Sequence, residues 1–290
     1  MTNIVVLGSD GLLGSHICAL HDVIPVSKQD CDITDTYQLE ELFEKYRPDV
    51  VINCAGVTPR NQQTELYTYR VNAYGPKLLA HWADRYSTRV IQVSTDCVFD
   101  GKRGSYSERD FPNAESVYGM SKLFGEITEY PHLTIRTSFI GWPDIKGRGL
   151  AAWLHREAAG ISQPLFKKHI VPGYKNYLWN GLTTVALGDI LYKLAFTNLG
   201  GLLHIYGETL SKYDLLKILA EVYCLDVDIV PVEQPVVDMT LISKYISSTV
   251  IPIRTLIEDM AEKEHIITEK INEFTTHNDS NDNILSQPTA

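Results

Sequence analysis

Apolar residues along this chain fall into short β-branched runs separated by longer stretches in which they recur every three or four positions. Asn3-Ile-Val-Val-Leu7 is the first run and reads as a buried strand; Val23–Val26 is a second. Asp35 has the side chain to cap a helix reaching about Tyr46, where Arg47-Pro48 ends it. Asp49–Asn53 reads as a third strand, Glu65–Tyr86 as a long amphipathic helix, and Arg89–Ser94 as a fourth strand. A helix carrying Tyr118 and Lys122 runs to about Thr128, and Leu133–Ser138 supplies a fifth strand. Alternation of this kind specifies an α/β fold with a doubly wound parallel sheet of the Rossmann type. A ligand is expected across the carboxyl ends of the strands, where residues 8–14, Asn53 and Ser94-Thr95 fall.

Beyond Gly141 the pattern loosens. Helices are expected at Leu150–Ala159, Thr183–Phe196 and Lys212–Cys224, with strands near Leu202–Tyr206 and Asp228–Val232. Residues 141–274 therefore read as a smaller C-terminal lobe, interleaved with the last elements of a sheet built mainly by residues 1–140. Residues 275–290, rich in Asn, Asp, Ser and Thr, are expected to form a disordered tail.

Two patterns carry candidate chemistry. The first strand runs straight into Gly8-Ser-Asp-Gly11-Leu-Leu-Gly14 and then an apolar helical stretch. Strand, glycine-rich turn and helix is the context of a dinucleotide fingerprint, with the backbone around Gly8, Asp10, Gly11, Leu12 and Leu13 approaching a pyrophosphate. The spacing here is Gly-x-x-Gly-x-x-Gly, and an ordinary strand-to-helix turn is the plainer alternative. The second pattern is Tyr118-Gly-Met-Ser-Lys122, which places a phenol and an ammonium four residues apart on one helix face. A free tyrosine, with a pKa near ~10, is a poor acid or base at neutral pH, and a neighbouring ammonium is expected to draw it down.

The 290 residues hold 26 Lys and Arg against 36 Asp and Glu, a formal charge of −10 with no basic run, which argues against a nucleic-acid partner. Five scattered cysteines suit reduced thiols in a cytoplasmic setting, and neither they nor the histidines show metal-ligand spacing. The chain opens directly on a strand, so no signal peptide is expected, and no apolar run is long enough to span a bilayer.

Taken together, the glycine turn, Asn53-Cys-Ala-Gly56, Asn72, Ser94-Thr95-Asp96 and Tyr118-x-x-x-Lys122 resemble an extended short-chain dehydrogenase/reductase. Within that superfamily three stretches look very like dTDP-4-dehydrorhamnose reductases: Val93–Gly101, Val71–Pro76 and Val117–Glu126. The resemblance is near-continuous from Asn3 to about Ser138, then thins. It implies an NADPH-dependent reduction of a nucleotide-linked 4-keto-6-deoxy sugar, dTDP- or UDP-linked, in deoxyhexose synthesis. Tyr118 would protonate the C4 carbonyl oxygen, Lys122 would lower the Tyr118 pKa and hold the nicotinamide ribose, and Thr95 would hydrogen-bond the carbonyl. Asn53, Ala55 and Gly56 would line the cofactor groove, with Asp32-Ile33 at the adenine. Ser27-Lys28, at the end of the second strand, offers a hydroxyl and a cation where an NAD-selective fold usually has a carboxylate; this favours NADPH, while Asp30 leaves NADH open.

Departures from the family's pattern cluster in the lobe. Gly181-Leu-Thr-Thr184 stands where those reductases carry Gly-Ser-Pro-Thr, their preceding Asp-Gln pair is absent, and Phe139 replaces a tryptophan that packs on the sugar. Substrate-side candidates are then Asp96, Phe139, Trp142, Lys175 and Trp179; lobe core is the competing role for the aromatics, and fixing the loop is the competing role for Asp96. A nucleotide-sugar 4-epimerase and a non-catalytic dinucleotide-binding regulatory subunit are the other functions that fit. A dehydratase is disfavoured, because Cys97 stands where its glutamate would be. Helical faces at 65–86 and 115–128 suit a homodimer, although packing on the sheet explains their apolar stripes equally.

Overall fold

The computed structural model describes residues 2–282, apart from 62, 145, 146, 148, 161–169 and 247–249. Its centre is a six-stranded sheet. The strands β1 (Ile4–Leu7), β2 (Ile24–Val26), β3 (Val50–Asn53), β4 (Arg89–Val93) and β5 (Leu133–Arg136) are joined by a sixth, Gly201–His204. Their spatial order is sixth strand, β5, β4, β3, β1, β2, and every pairing is parallel. This is the Rossmann-type doubly wound sheet expected from the alternation of strands and helices. Because β2 and β3 flank β1 on opposite sides, the topological switch point lies beyond its carboxyl end.

Both faces of the sheet are covered, which is why its strands read as continuous apolar runs. Ile4, Val6, Ile52, Ile91 and Ile135 face one side with Leu13 and Ile17 of α1 (Leu12–Leu20) and Leu187 and Leu191 of α7 (Thr184–Leu194). Val5, Leu7, Val51 and Val90 face the other, under Leu39 and Phe43 of α2 (Thr36–Tyr46) and Leu79 and Trp82 of α4 (Gly75–Arg85). Asp35 caps α2 as its sequence suggests, accepting hydrogen bonds from the backbone of Tyr37 and Gln38.

The expected helix over 65–86 is built in three pieces: α3 (Glu65–Tyr69), a π-helical turn (Arg70–Tyr74) and α4. The helix carrying Tyr118, α5 (Val117–Phe124), stops short of Thr128. It ends at Gly125, which lies so close to the Asn72 carbonyl that a side chain there would collide with it.

Downstream, short strands replace the regular alternation. Tyr177–Trp179 pairs with Leu210–Ser211 and Val237–Asp238, Asp228–Val232 pairs with Ile170–Tyr174, and Phe139–Ile140 pairs with Leu182–Thr183. Helices α6 (Leu150–Ala158) and α8 (Lys212–Val222) lie close to their expected positions. The tail expected over 275–290 falls partly on a helix and partly outside the described residues. Helix α9 (Ile253–Glu262) is followed by α10 (Glu264–Asp282), so residues 275–282 are helical; 283–290 lie outside the described residues. Ile253, Leu256, Ile257 and Met260 in α9, then Ile267 and Ile271 in α10, bury a stripe at helical spacing, and this holds the C-terminal helices on the core.

Candidate functional site

The glycine turn is shaped by close approaches that leave no room for side chains. Gly8 sits at φ +80°, and its N–H donates to the Val26 carbonyl at 2.9 Å. A Cβ at Gly8 would stand 2.7 Å from the Ala55 backbone nitrogen, and one at Gly14 would run into the Gly8 carbonyl. Helix α1 begins at Gly11 with no side-chain cap, leaving its first N–H groups, those of Leu12 and Leu13, at the switch point. The Leu13 side chain is in the core, and Leu12 reaches towards Gly141. A cleft of about 240 Å³ opens here, lined by Gly8, Asp10 and Gly11, by Lys28, Asp32 and Ile33, and by Ala55 and Gly56. Its bare backbone and helix N-terminus fit the diphosphate of a dinucleotide.

At one end of the cleft the assignments divide. Ser27 is 4% exposed and its hydroxyl donates to Asp30 at 2.6 Å, so it is committed to closing its own turn and does not line the cleft. Lys28 does reach the cleft, and its ammonium donates to the Tyr67 hydroxyl at 2.6 Å and lies 4.0 Å from Asp32. One Asp32 oxygen is held by the backbone and hydroxyl of Thr34, at 2.9 and 2.8 Å. Asn53 is fully buried; it donates to Gln92 at 2.7 Å and accepts from the Ala55 N–H at 3.1 Å, shaping the groove without lining it.

Beyond the end of β4 the structure brings Thr95, Tyr118 and Lys122 together. Ser116 caps α5 through the Gly119 N–H at 3.0 Å, and Gly119 presses against the Cys97 carbonyl in a gap no side chain could share. That approach sets Tyr118 beside Thr95, whose hydroxyl is hydrogen-bonded to the phenol. Lys122 is 7% exposed and donates to the Val93 carbonyl at 2.6 Å, close to the position a Gly56 side chain would take.

The electrostatics correct one expectation. Burial pushes the Tyr118 phenol well above its usual value, with only the Thr95 hydrogen bond opposing it. Lys122, anchored on Val93, is itself lowered to about 8 by burial, against the pull of Glu126 and Cys54. In this arrangement Tyr118 is a protonated phenol, not one drawn towards phenolate.

Around this trio lies a supporting shell whose details the motifs did not disclose. Asn72, in the π-helical turn, accepts from the Val57 N–H at 2.8 Å and donates to the Val57 carbonyl at 2.8 Å and to Ser121 at 3.1 Å. It thereby ties the loop after β3 to α5. Ser94 donates to Glu126 at 2.8 Å, and Glu126 forms a buried two-point ion pair with Arg136 at 2.7 and 2.8 Å.

The substrate-side candidates fare unevenly. Asp96 is 5% exposed and accepts a hydrogen bond from the Thr95 hydroxyl at 3.0 Å. Phe139 packs on the main core as part of a strand. Trp142 stacks on His155 with ring centres 3.9 Å apart and donates to Glu264, so it belongs to the junction with α6 and α10. Lys175 is at the surface in an ion pair with Glu233 at 3.7 Å. Trp179 is 2% exposed and its indole donates to Ser138 at 2.8 Å, making it core. Burial raises the Asp96 carboxyl above its usual value, against the influence of Lys212, Cys97, Thr95 and Ser138.

The five cysteines are free thiols. Among the described residues, no group of three or more His, Cys, Asp or Glu is placed to hold a metal ion, and no helix is long and apolar enough to cross a membrane.

This architecture has close counterparts. The chain is 35% identical over 173 residues to a dTDP-4-dehydrorhamnose reductase of Mycobacterium tuberculosis, the match covering 54% of this chain and 56% of the relative. The chain thus spans about half the length of the curated relatives it matches. In fold it is similar to a dTDP-4-dehydrorhamnose reductase from Clostridium acetobutylicum, with a TM-score of 0.78 and 23% identity over 90% of this chain and 99% of that one. The same enzyme from Bacillus anthracis, in complex with NADP, gives a TM-score of 0.77 at 21% identity, covering 92% and 99% of the two chains. Residues 1–234 match the family model described as RmlD substrate binding domain, and the chain belongs to that family.

Proposed function

We propose that this chain is an NADPH-dependent reductase that converts the C4 ketone of a dTDP-linked 4-keto-6-deoxy sugar to an alcohol. The observation that carries the reading is the meeting of Thr95, Tyr118 and Lys122 beside a glycine-lined cleft at the switch point. The names of the Mycobacterium tuberculosis and Bacillus anthracis relatives, the second bound to NADP, supply the substrate and cofactor class.

In this reading the dinucleotide's diphosphate sits on the Gly8–Leu13 backbone and its adenosine lies towards Lys28, Asp32 and Ile33. Bound there, NADPH would supply the hydride. Tyr118, kept protonated by burial, gives its proton to the ketone oxygen as negative charge develops on it. Lys122, charged at neutral pH and close to Gly56, holds the nicotinamide ribose and offsets the charge left on the phenol. Thr95 hydrogen-bonds the phenol and favours the phenolate that proton transfer leaves behind.

The test is oxidation of NADPH and NADH with freshly generated dTDP-4-keto-6-deoxy-L-sugar, run beside the UDP-linked equivalent. Stoichiometric NADPH loss with formation of a deoxyhexose product is expected. Dinucleotide binding without consumption would instead favour the 4-epimerase or the regulatory subunit.

A further inference from the structure

His16 is a polar side chain with no exposed surface, one turn along α1 from Leu12. Both of its ring nitrogens are engaged, by partners 127 and 168 residues along the chain. Nε2 lies 2.9 Å from the Pro143 carbonyl, which can only accept, so Nε2 carries the proton. Nδ1 then holds a lone pair and accepts from the hydroxyl of Thr184, the first residue of α7, at 2.7 Å. Burial lowers the pKa of the ring, against the Pro143 hydrogen bond and the charge of Asp144. The imidazole is therefore neutral and held in one tautomer.

Leu12 and His16 are four residues apart and share one face of α1. Along that face runs the segment Gly141-Trp142-Pro143-Asp144. A Cβ on Gly141 would stand 2.7 Å from Thr184 Oγ1 and 2.8 Å from Leu12 Cδ1, so the segment is pressed against both. Trp142 is fixed from another direction by its stacking on His155 and its hydrogen bond to Glu264. Asp144 accepts from the Gly149 N–H at 2.8 Å, and a Cβ at Gly149 would lie 3.4 Å from Leu12. The segment thus covers the side chain of Leu12, whose N–H stands at the start of α1, where the cleft fits the diphosphate.

We propose that His16 is a positioning residue for the dinucleotide: its Nε2–H pins Pro143, and the pin holds residues 141–144 against Leu12, fixing the first turn of α1 under the diphosphate. This rests on the dinucleotide cleft and not on the identity of the sugar. An apolar side chain could fill the same space, but it would make neither hydrogen bond and would have no directional hold on the Pro143 carbonyl. Because both dinucleotides carry the diphosphate, the contribution of His16 is the same for NADPH and NADH.

The experiment compares His16→Asn with His16→Gln by fluorescence titration of NADPH and NADH on the full chain. A Gln amide reaches the place of Nε2 and can donate to Pro143, whereas an Asn amide ends at the place of Nδ1 and keeps only the Thr184 bond. His16→Asn should weaken both dinucleotides equally, by about five- to twentyfold, and His16→Gln should restore most of the loss. Gly141→Ala leaves His16 in place and pushes the segment off Leu12, so it should reproduce the weakening. Nitrogen-15 NMR of the wild-type histidines, without cofactor and with His16 assigned by its loss in His16→Gln, should show Nε2 protonated and Nδ1 bare. Unchanged affinity in His16→Asn or in Gly141→Ala, equal losses in the Asn and Gln variants, or a proton on Nδ1 would overturn the proposal. Should His16→Asn fail to fold, Gly141→Ala and the tautomer decide. A wild-type chain that binds neither dinucleotide would also overturn it, whereas one that binds them and leaves the sugar unreduced removes only the reductase reading.

Discussion

The two sides of the site are assembled on different terms. On the sheet side, Gly8, Gly14 and Gly119 occupy gaps that only a bare backbone fits, and each places a functional group: the start of α1, or Tyr118 against Thr95. On the lobe side, the aromatic candidates are consumed by packing, with Trp142 on His155 and Trp179 in the core against Ser138. The lobe lysine Lys212, which has no motif around it, lies over the Tyr177 and Trp179 rings. Chemistry imposed by backbone geometry leaves a spacing in the sequence; chemistry imposed by side-chain packing does not.

The largest expected effect tests the lobe half of that contrast. Trp179→Ala should cost about 3–5 kcal/mol of stability by denaturant unfolding, as for other buried aromatics. A raised KM with stability unchanged would make Trp179 a sugar platform after all. Next comes the sheet side. Tyr118→Phe keeps the ring and removes the proton, so turnover should fall by about 10²-fold or more while NADPH binding, measured by fluorescence titration, is retained. Unaltered turnover would remove Tyr118 from the mechanism.

The parallel sheet was legible because β1, β3 and β4 are buried on both faces and separated by helices of clear period. Thr95, Tyr118 and Lys122 were legible because their motifs lie at or just beyond strand ends or on one helix turn. The helix over 65–86 shows where reading along the chain stops. Its apolar repeat suggests one regular helix, yet the π-helical turn lets Asn72 bond both Val57 and Ser121. No periodicity encodes a partner 49 residues away. Lys212 was illegible for a similar reason, since it is placed by the rings of Tyr177 and Trp179, on a different element. The stripe Ile253, Leu256, Ile257 and Met260, by contrast, carried an ordinary helical signal.

A pH profile sharpens the contrast within the sheet side. Burial lowers Lys122 from its usual value to about 8, so its charge is present at neutral pH and lost as pH rises through that value. With burial also holding Tyr118 protonated, the alkaline limb of kcat/KM should belong to Lys122 and fall by about tenfold per pH unit above it. Lys122→Met should abolish that limb along with most of the activity. A limb that survives the substitution would have to be assigned to another group.

Cofactor choice should show the smallest effect, because the group that reads it is the most exposed. The Lys28 side chain is 62% exposed, so an ion pair with a 2′-phosphate is worth only about 0.5–1 kcal/mol in screened solvent. Lys28→Ala should therefore weaken NADPH binding by roughly two- to fivefold and leave NADH nearly unchanged, measured by titration at fixed ionic strength. Raising the salt should shrink the difference in the wild type and have less effect in the variant. Tyr67→Phe is the control for geometry, since it removes the hydroxyl that holds the Lys28 ammonium while keeping the ring under it. If Lys28→Ala weakens both dinucleotides equally, the lysine steers diphosphates in general and does not read the 2′-phosphate. Asp32, whose carboxylate lines the same end of the cleft, would then be the residue to test for a preference towards NADH.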